Sequence, residues 1–188
     1  MIYEALNENI DIAVQSLLNG EIIVYPTDTL YGLGVDATNE KAIKKLNQLK
    51  KRTQPLSIIV SSYNMLYDLC FVDKNKIDLN KYFPGPYTLL FNKKDKLPNI
   101  LTVNSKKIGI RMPESDFAIK LVDTINKPIV TTSVNIHNED SLNDIYEIKN
   151  KFPDLNIFSG IVNKGSKGST IIDCTKDCMT IVRQGDGI

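Results

Sequence analysis

The chain has 188 residues, of which 42% are hydrophobic and 24% charged, and 23 basic against 22 acidic side chains give a net charge of +1. This length fits one domain, residues 1–188, with enough chain to bury a core. The near-zero net charge argues against a protein whose whole surface is built for nucleic acid or membranes. No apolar run has the length of a membrane span and no segment resembles a signal peptide, so we expect a cytoplasmic protein.

The first quarter of the chain predicts two helices on either side of a short buried strand. Apolar residues at helical spacing predict a helix over 10–18. An apolar run predicts a strand over 21–25. A second helix is predicted over 39–50, with Thr38 or Asn39 as its cap.

The stretch between that strand and the second helix, Tyr25–Gly34, reads YPTDTLYGLG and has the composition of a ligand loop. Pro26 should end the strand, because proline has a fixed φ and no N–H to donate. Gly32 and Gly34 permit turns or close approaches that a Cβ would prevent. Because α/β folds bind ligands just past strand ends, we predict a ligand-binding loop. The alternative is a turn held by its own Thr and Asp side chains.

Strands and helices alternate through the rest of the chain. Further strands are predicted over 56–60, 87–91, 108–112, 128–132, 156–162, 170–174 and 179–183. Helices are predicted over 63–69 and 73–82, from Ser115 to 125, and from a capping box at Ser141–Asp144 towards Lys151. The lysine-rich segment 92–107 predicts a loop or flap. The fold class is therefore α/β, with a single twisted mixed sheet flanked by helices.

Several common kinds of site are excluded. The chain lacks a P-loop, a GxGxxG fingerprint and a GxSxG elbow. Its three cysteines and one histidine do not form a zinc-binding pattern, so we predict no metal held by the protein itself.

Polar and basic side chains collect where predicted strands end. Each alone has an ordinary explanation: a solvated helix end, a turn, or a surface ion pair. Together, several cations with hydroxyls and an amide suit a polyanionic substrate, because the arginine fork matches carboxylate and phosphate geometry. These candidates are Thr29, Lys50, Arg52, Arg111, Ser133, Asn135, Ser169 and Arg183.

The order of short blocks along nearly the whole chain resembles the YrdC/Sua5 family, the family of threonylcarbamoyl-AMP synthases. The blocks are YPTDTLYGLG, Lys50-x-Arg52 with Pro55-Leu56, PGPYT, IGIRMP, TTSVN, GSTIID and IVRQG. The resemblance implies a YrdC-like fold and a nucleotidyltransferase that makes threonylcarbamoyl-AMP and pyrophosphate from L-threonine, bicarbonate or CO2, and ATP with Mg2+. It also implies that the product passes to the tRNA threonylcarbamoyl-transferase machinery for t6A37 formation.

The resemblance further implies roles for individual residues. The catalytic group would be Lys50, Arg52, Ser133 and Asn135. Threonine would be held by Thr29, Arg111 and Ser169. ATP would contact Arg52, Asn135, Asn143 and Arg183.

The chain departs from the family pattern at three places, of which Ser-Val-Asn at 133–135 in place of the usual Ser-Ala-Asn is a mild change. Thr53 and Gln54 alone separate Arg52 from Pro55, a shorter spacing than is usual. Ile59 stands where many members carry a histidine that touches threonine. Two alternatives stay open: a non-catalytic YrdC-type module that binds RNA weakly, and carbamoyl-adenylate chemistry on another substrate.

Overall fold

The structure, a computed structural model, describes residues 1–52 and 54–188. Thr53, one of the two residues between Arg52 and Pro55, lies outside the described residues. The described residues form a mixed sheet of eleven strands with five α-helices. The predicted α/β class and mixed sheet are therefore confirmed.

The sheet runs in the order β1-β9-β2-β3-β8-β4-β7-β6-β10-β11, with the short β5 added beside β6. The strands are β1 Ile2–Glu4, β2 Ile23–Tyr25, β3 Gly32–Gly34, β4 Ser57–Ile59, β5 Cys70–Phe71, β6 Tyr87–Lys93, β7 Lys107–Arg111, β8 Ile129–Ser133, β9 Asn156–Ser159, β10 Thr170–Asp173 and β11 Thr180–Arg183. The pairs β1–β9, β9–β2, β4–β7 and β6–β10 are parallel. The pairs β2–β3, β3–β8, β8–β4, β7–β6 and β10–β11 are antiparallel.

Helices cover both faces of this sheet. They are α1 Ile10–Leu18, α2 Glu40–Lys50, α3 Tyr63–Leu69, α4 Asp116–Ile125 and α5 Ile145–Lys151. Helices α1 and α4 bury their apolar stripes on one face, together with Tyr25 and Phe158. Helices α2, α3 and α5 contribute to the larger core cluster on the other face. Among the described residues, no helix is both long and apolar enough to cross a bilayer.

Helix α2 begins and ends where its sequence signals predict, and this places Lys50. The Asn39 side chain accepts a hydrogen bond from the Ala42 N–H at 3.1 Å, which satisfies one donor of the first turn. The helix ends at Lys50, because Lys51 adopts the left-handed conformation with φ 50°. Lys50 therefore sits at the end of α2, with its side chain directed into the protein.

Two predicted helices differ from the structure because aspartates form local turns. Residues 73–82 form turns and one short 3-10 segment, Leu79–Lys81, rather than a helix. The Asp73 and Asp78 carboxylates accept bonds from N–H groups two residues ahead, which competes with helix formation. The last helix starts at Ile145, because Asp144 rather than Ser141 is its cap.

The segment 92–107 is not a flap. Leu97 and Leu101 are buried in the larger core cluster. The Leu101 carbonyl accepts a hydrogen bond from the Leu56 N–H at 2.9 Å, just before β4 begins. Buried apolar side chains outweigh the polar composition that suggested a mobile cover.

The opening loop is shorter than its sequence indicates, because Gly32–Gly34 form strand β3. The Tyr25 ring lies across these glycines: a Cβ on Gly34 would stand 2.6 Å from the Tyr25 Cε1. The Tyr25 hydroxyl donates to the Val130 carbonyl at 3.1 Å. Of the two roles predicted for the glycines, close approach is the one the structure shows.

Candidate active site

A cavity of about 240 Å3 opens where the loop after β2, the ends of β7 and β8, the start of β4 and the loop before β10 meet. Its lining is rich in hydroxyl groups and holds four cations. Among the described residues, no carboxylate lines it. The four cations are Arg52, Arg111, Lys167 and Arg183.

Arg111, the last residue of β7, is buried and held by the loop after β2. Its Nη2 donates to the Asp28 carboxylate at 2.6 Å and to the Thr29 hydroxyl at 3.3 Å. The other Asp28 oxygen accepts from the Glu114 N–H at 3.2 Å, so the carboxylate ties the loop to the end of β7. Asp28 thus orients Arg111 without lining the cavity itself.

Thr29 is buried and bound on both sides. Its hydroxyl lies 3.1 Å from that of Thr27, and its carbonyl accepts from the Asn163 N–H at 3.1 Å. The structure therefore brings the predicted threonine-side residues Thr29 and Arg111 together.

Arg52 also lines the cavity, and only some of its N–H groups are hydrogen-bonded within the protein. Its Nη1 and Nη2 donate to the Thr132 hydroxyl at 3.5 Å and to the Pro55 carbonyl at 3.2 Å. Burial lowers the pKa of Arg52. The Nε atoms of Arg52 and Arg111 are both buried, and neither has a hydrogen-bond partner within the described part of the chain. Because buried donors are nearly always paired, two unpaired guanidinium N–H groups beside one cavity indicate an anionic ligand.

Lys50 does not line the cavity but holds one of its walls. Its side chain is buried, and Nζ donates to the carbonyls of Ser133 and Asn135 at 2.6 and 2.8 Å. A third bond reaches the Asn135 Oδ1 at 2.7 Å. The Ser133 hydroxyl donates to the same Oδ1 at 2.8 Å. Three members of the predicted catalytic group, Lys50, Ser133 and Asn135, therefore meet, and the fourth, Arg52, lines the same cavity as Ser133. Lys50 fixes the backbone after β8 rather than facing a ligand.

Burial lowers the pKa of Lys50 to about 7, and the nearby Arg52 charge acts in the same direction. Three oxygen acceptors around Nζ match the three N–H bonds of an ammonium group. The wall after β8 thus depends on a proton that this site holds weakly.

Ser169 and Arg183 form another wall of the cavity. The Ser169 hydroxyl lies 2.7 Å from that of Thr88, and Arg183 Nη2 donates to the Ser169 carbonyl at 2.7 Å. Gly168, with φ +80°, makes the turn that brings Ser169 under Arg183. Ser169 and Arg183, predicted for threonine and ATP, are thus adjacent.

Two residues singled out in the sequence lie outside this cavity. Asn143 lines a neighbouring cavity of about 1210 Å3 that shares Thr27 and Tyr31 with the first. Ile59 is fully buried in the core beneath α1 and α4 and does not line the site. Ser57, two residues earlier in β4, lines the cavity instead.

Several lining residues were missed because each lies inside an apolar strand pattern or a polar loop. The hydroxyl residues within otherwise apolar strands were the available signal, since a core strand rarely needs them. Lys167, directly before Gly168 and Ser169, resembled an ordinary loop lysine. The missed residues are Ser57, Thr88, Thr131, Thr132 and Lys167.

The chain matches a known protein family over most of its length. The Sua5/YciO/YrdC family model, whose description is "Telomere recombination", matches residues 15–185. A protein of Methanocaldococcus jannaschii is 35% identical over 98% of this chain and 91% of its own length. The threonylcarbamoyl-AMP synthase of Buchnera aphidicola is 32% identical over 85% of this chain and 88% of its own length.

Solved structures show the same fold. Sua5 of Pyrococcus abyssi complexed with L-threonine matches with a TM-score of 0.91 and 28% identity, over 98% of this chain and 57% of that one. YciO of E. coli matches with a TM-score of 0.90 and 26% identity, over 100% of this chain and 97% of that one. This chain therefore spans little more than half of the P. abyssi protein and nearly all of YciO.

Proposed function

Because the chain belongs to the Sua5/YciO/YrdC family, we propose that it is a threonylcarbamoyl-AMP synthase acting in the t6A37 pathway of tRNA modification. The predicted YrdC-like fold is confirmed by the match to YciO and Sua5. The proposed reaction joins L-threonine, bicarbonate or CO2, and ATP, and releases pyrophosphate. We place it in the cytoplasm, with the product passing to the tRNA threonylcarbamoyl-transferase machinery.

The observation that carries this proposal is the charge of the cavity. Its lining provides four cations and, within the described residues, no carboxylate. Two of the cations, Arg52 and Arg111, also have an unpaired buried N–H. ATP, a carbamate and an amino-acid carboxylate are all anions, so a site that binds them together needs this excess of positive charge.

We assign threonine to the Arg111 side of the cavity. Asp28 occupies Nη2 of Arg111, which leaves other N–H groups of the guanidinium for the carboxylate of an amino acid. The Thr29 and Ser169 hydroxyls lie in the same lining and would position its polar groups. The similar P. abyssi Sua5 structure, a complex with L-threonine, supports this substrate.

We assign the ATP phosphates to the three lining cations that Asp28 does not engage, Arg52, Arg183 and Lys167. Ser133, whose main chain is held by Lys50, lines the cavity, and its hydroxyl would turn from the Asn135 Oδ1 to donate to a phosphate oxygen. Asn135 supports Ser133 through its Oδ1 and takes no place in the lining. Asn143 would contact ATP only where the nucleotide extends past Tyr31 into the neighbouring cavity.

The proposed chemistry needs electrostatic stabilisation and dryness more than a strong base. Threonine's neutral amine adds CO2, the proton leaves to water, and a carbamate oxygen attacks the α-phosphorus while pyrophosphate departs. The attacking group is already anionic, so the main barrier is bringing it to a polyphosphate, which fixed cations lower. Exclusion of water would protect the labile carbamate.

Mg2+ would arrive with ATP. Within the described residues, no three or more His, Cys, Asp or Glu side chains group closely enough to hold a metal ion. The described side chains of the lining offer hydroxyl oxygens and no carboxylate, so phosphate and water oxygens would supply most of the ligands of Mg2+.

The test measures pyrophosphate and the adenylate product by mass after incubation with ATP and bicarbonate, with and without threonine. We expect both products to depend on threonine. Arg111→Ala should lower the rate at limiting threonine about 100-fold or more, as for loss of a charged partner. Lys44→Ala, on the exposed side of α2 and paired with Glu40, is the matched control and should stay near wild type. Pyrophosphate release that ignores threonine would refute the proposed substrate.

A further inference from the structure

Two small residues on different strands meet at one place in the lining of the catalytic cavity. Ser57 of β4 pairs in register with Gly109 of β7, and Thr88 of β6 reaches the same glycine from the other side. Ser57 and Thr88 both line the cavity. We define the cavity floor as Ser57 and Thr88, which meet over Gly109.

The two residues can meet because Gly109 has no side chain. A Cβ on Gly109 would stand 2.4 Å from the Ser57 Oγ and 3.0 Å from the Thr88 Cγ2, both closer than ordinary van der Waals contact. Thr88 presents its methyl group here, since its hydroxyl lies 2.7 Å from that of Ser169. The cavity floor therefore offers a hydroxyl and a methyl group side by side.

The hydroxyl of Ser57 is left for a ligand. Other hydroxyls of the lining are bonded inside the protein, such as that of Thr132 to Arg52 and that of Ser133 to Asn135. Among the residues that the structure describes, the Ser57 hydroxyl has no hydrogen-bond partner. A ligand group that covers it must itself form a hydrogen bond, because the hydroxyl otherwise loses its bonds to water without replacement.

The cavity floor lies beside the place assigned to the amino-acid carboxylate. Gly109 and Arg111 leave β7 on the same face of the sheet, about 7 Å apart along the strand. Ser57 and Arg111 line the same cavity. An amino acid held by its carboxylate at Arg111 can therefore direct its side chain to the cavity floor.

We propose that the cavity floor selects the side chain of the amino-acid substrate, with Ser57 bonding a β-hydroxyl and the Thr88 methyl packing against a β-methyl. Threonine carries both groups on one carbon, whereas valine lacks the hydroxyl and serine lacks the methyl. The two groups also define a chirality, so L-allo-threonine, in which they are exchanged, would place each against the wrong partner. This inference rests on the synthase reaction proposed above and names the residues that set its substrate.

The test compares kcat/KM for pyrophosphate release with L-threonine, L-valine and L-serine as substrates. Ser57→Ala should lower the preference for threonine over valine about 10- to 100-fold, because the threonine hydroxyl then has no partner in the site. Its preference for threonine over serine should remain, since both substrates lose the same hydrogen bond.

Thr88→Ser should give the opposite pattern. This change removes the methyl group and keeps the hydroxyl that faces Ser169. The preference for threonine over serine should fall about 4- to 10-fold, the effect of about one buried methyl group, while the preference over valine remains. The wild-type protein should use L-threonine better than L-allo-threonine, and each variant should reduce this difference.

Ser61→Ala is the matched control. Ser61 lies two residues past the end of β4 and outside the cavity lining, so both preferences should equal those of the wild type. Isothermal titration of each amino acid into each protein, without ATP, measures the affinities independently of turnover. The affinities should follow the same pattern as the kcat/KM ratios.

Three results would overturn the inference: an unchanged preference for threonine over valine in Ser57→Ala, equal losses of both preferences in Ser57→Ala and Thr88→Ser, or a wild-type protein that uses valine as well as threonine. Wild-type pyrophosphate release that ignores every amino acid would instead refute the proposed function, and this inference with it, so the two failures are distinguishable. If Ser57→Ala does not fold, Ser57→Cys keeps the shape of the side chain with only a weak donor, and the same loss is expected.

Discussion

The Lys50 ammonium lies in the interior with every N–H bond used inside the protein. Its acceptors are two carbonyls and one amide oxygen of Ser133 and Asn135, so the end of α2 and the end of β8 are joined at a single atom. A buried cation is costly unless its hydrogen bonds are complete, and here they are complete. We therefore interpret Lys50 as a positioning residue for Ser133, which does line the cavity.

Replacing Lys50 with Met tests this role. The change leaves three acceptors without donors, so we expect a loss of about 2–4 kcal/mol in the free energy of unfolding and at least about a 100-fold loss of synthase rate. Urea unfolding and pyrophosphate release provide the two measurements. Lys44→Met, on the exposed face of the same helix, should change neither. Lost activity with unchanged stability would instead assign Lys50 to direct contact with a substrate.

The pH dependence of stability gives a second test of the same residue. The pKa of Lys50 falls from 10.5 to about 7 on folding, mainly through burial. Below pH 7 both states carry the proton, and between pH 7 and 10.5 the unfolded state binds more protons. Stability contributed by this group therefore rises with pH in that window, by at most about 1.4 kcal/mol per unit. We expect this rise in wild type relative to Lys50→Met, measured by urea unfolding from pH 6 to 9. Parallel pH curves for the two proteins would contradict it.

At the scale of secondary-structure elements, the packing of β2 against β3 holds the loop between these two strands. Tyr25 is the last residue of β2, and its ring lies against Gly32 and Gly34 in the neighbouring strand β3. The ring is fully buried and its hydroxyl is bonded to Val130. This packing fixes β2 and β3, the two strands that flank the loop carrying Asp28 and Thr29.

Gly34→Ala should therefore destabilise the protein by about 1–3 kcal/mol, the usual cost of overpacking a core. The new Cβ would stand 2.6 Å from the Tyr25 ring and 3.1 Å from the Val130 carbonyl, and a buried ring has little room to move. Urea unfolding measures the change. Gly165→Ala is the matched control, because its Cβ would meet one side-chain atom at 3.6 Å. Similar small effects in both variants would show that β3 can shift to admit a side chain.

At the scale of the whole molecule, the cavity gathers side chains that are far apart in sequence onto one rigid sheet. Arg111 and Ser133 end the strands on the two sides of β4, and Ser169 precedes β10. Four cations line one cavity, and among the described residues no carboxylate lies in that lining; Asp28, behind it, pairs with Arg111 alone. The remaining like charges repel one another. Anionic substrates should therefore stabilise the fold as well as bind to it.

Thermal unfolding tests this linkage. L-Threonine with ATP and Mg2+ at about 100 times the dissociation constant should add about 2.7 kcal/mol, or roughly 5–10 °C in melting temperature for a domain of this size. In Arg111→Ala, the increase in melting temperature that threonine causes should be mostly lost. This increase is measured for each protein relative to the same protein without threonine. D-Threonine at the same concentration is the control, because it cannot place all three polar groups at once. An equal shift from both enantiomers would argue against a built threonine site.

Much of the molecule follows from local patterns in the chain. Apolar spacing and the caps Asn39 and Ser115 predicted helices α1, α2 and α4, because those signals act within a few residues. Alternating helices and strands predicted the α/β class, and the ordered sequence blocks predicted the family. Where aspartate turns compete with a helix, as over residues 73–82, the same local reasoning was wrong.

Tertiary structure decided what each polar residue does. Lys50 and Arg52 are two residues apart on the chain, yet Lys50 turns into the protein to bind the end of β8 and Arg52 faces the cavity. Asp28 binds Arg111, a partner 83 residues away. Such roles depend on strand order and on which side of the sheet a side chain leaves, and neither is encoded by residues close in sequence. The sequence alone predicted most of the helices and strands and the family. The packing of the sheet decided which charged side chains are bonded inside the protein and which face the cavity, where a substrate can bind.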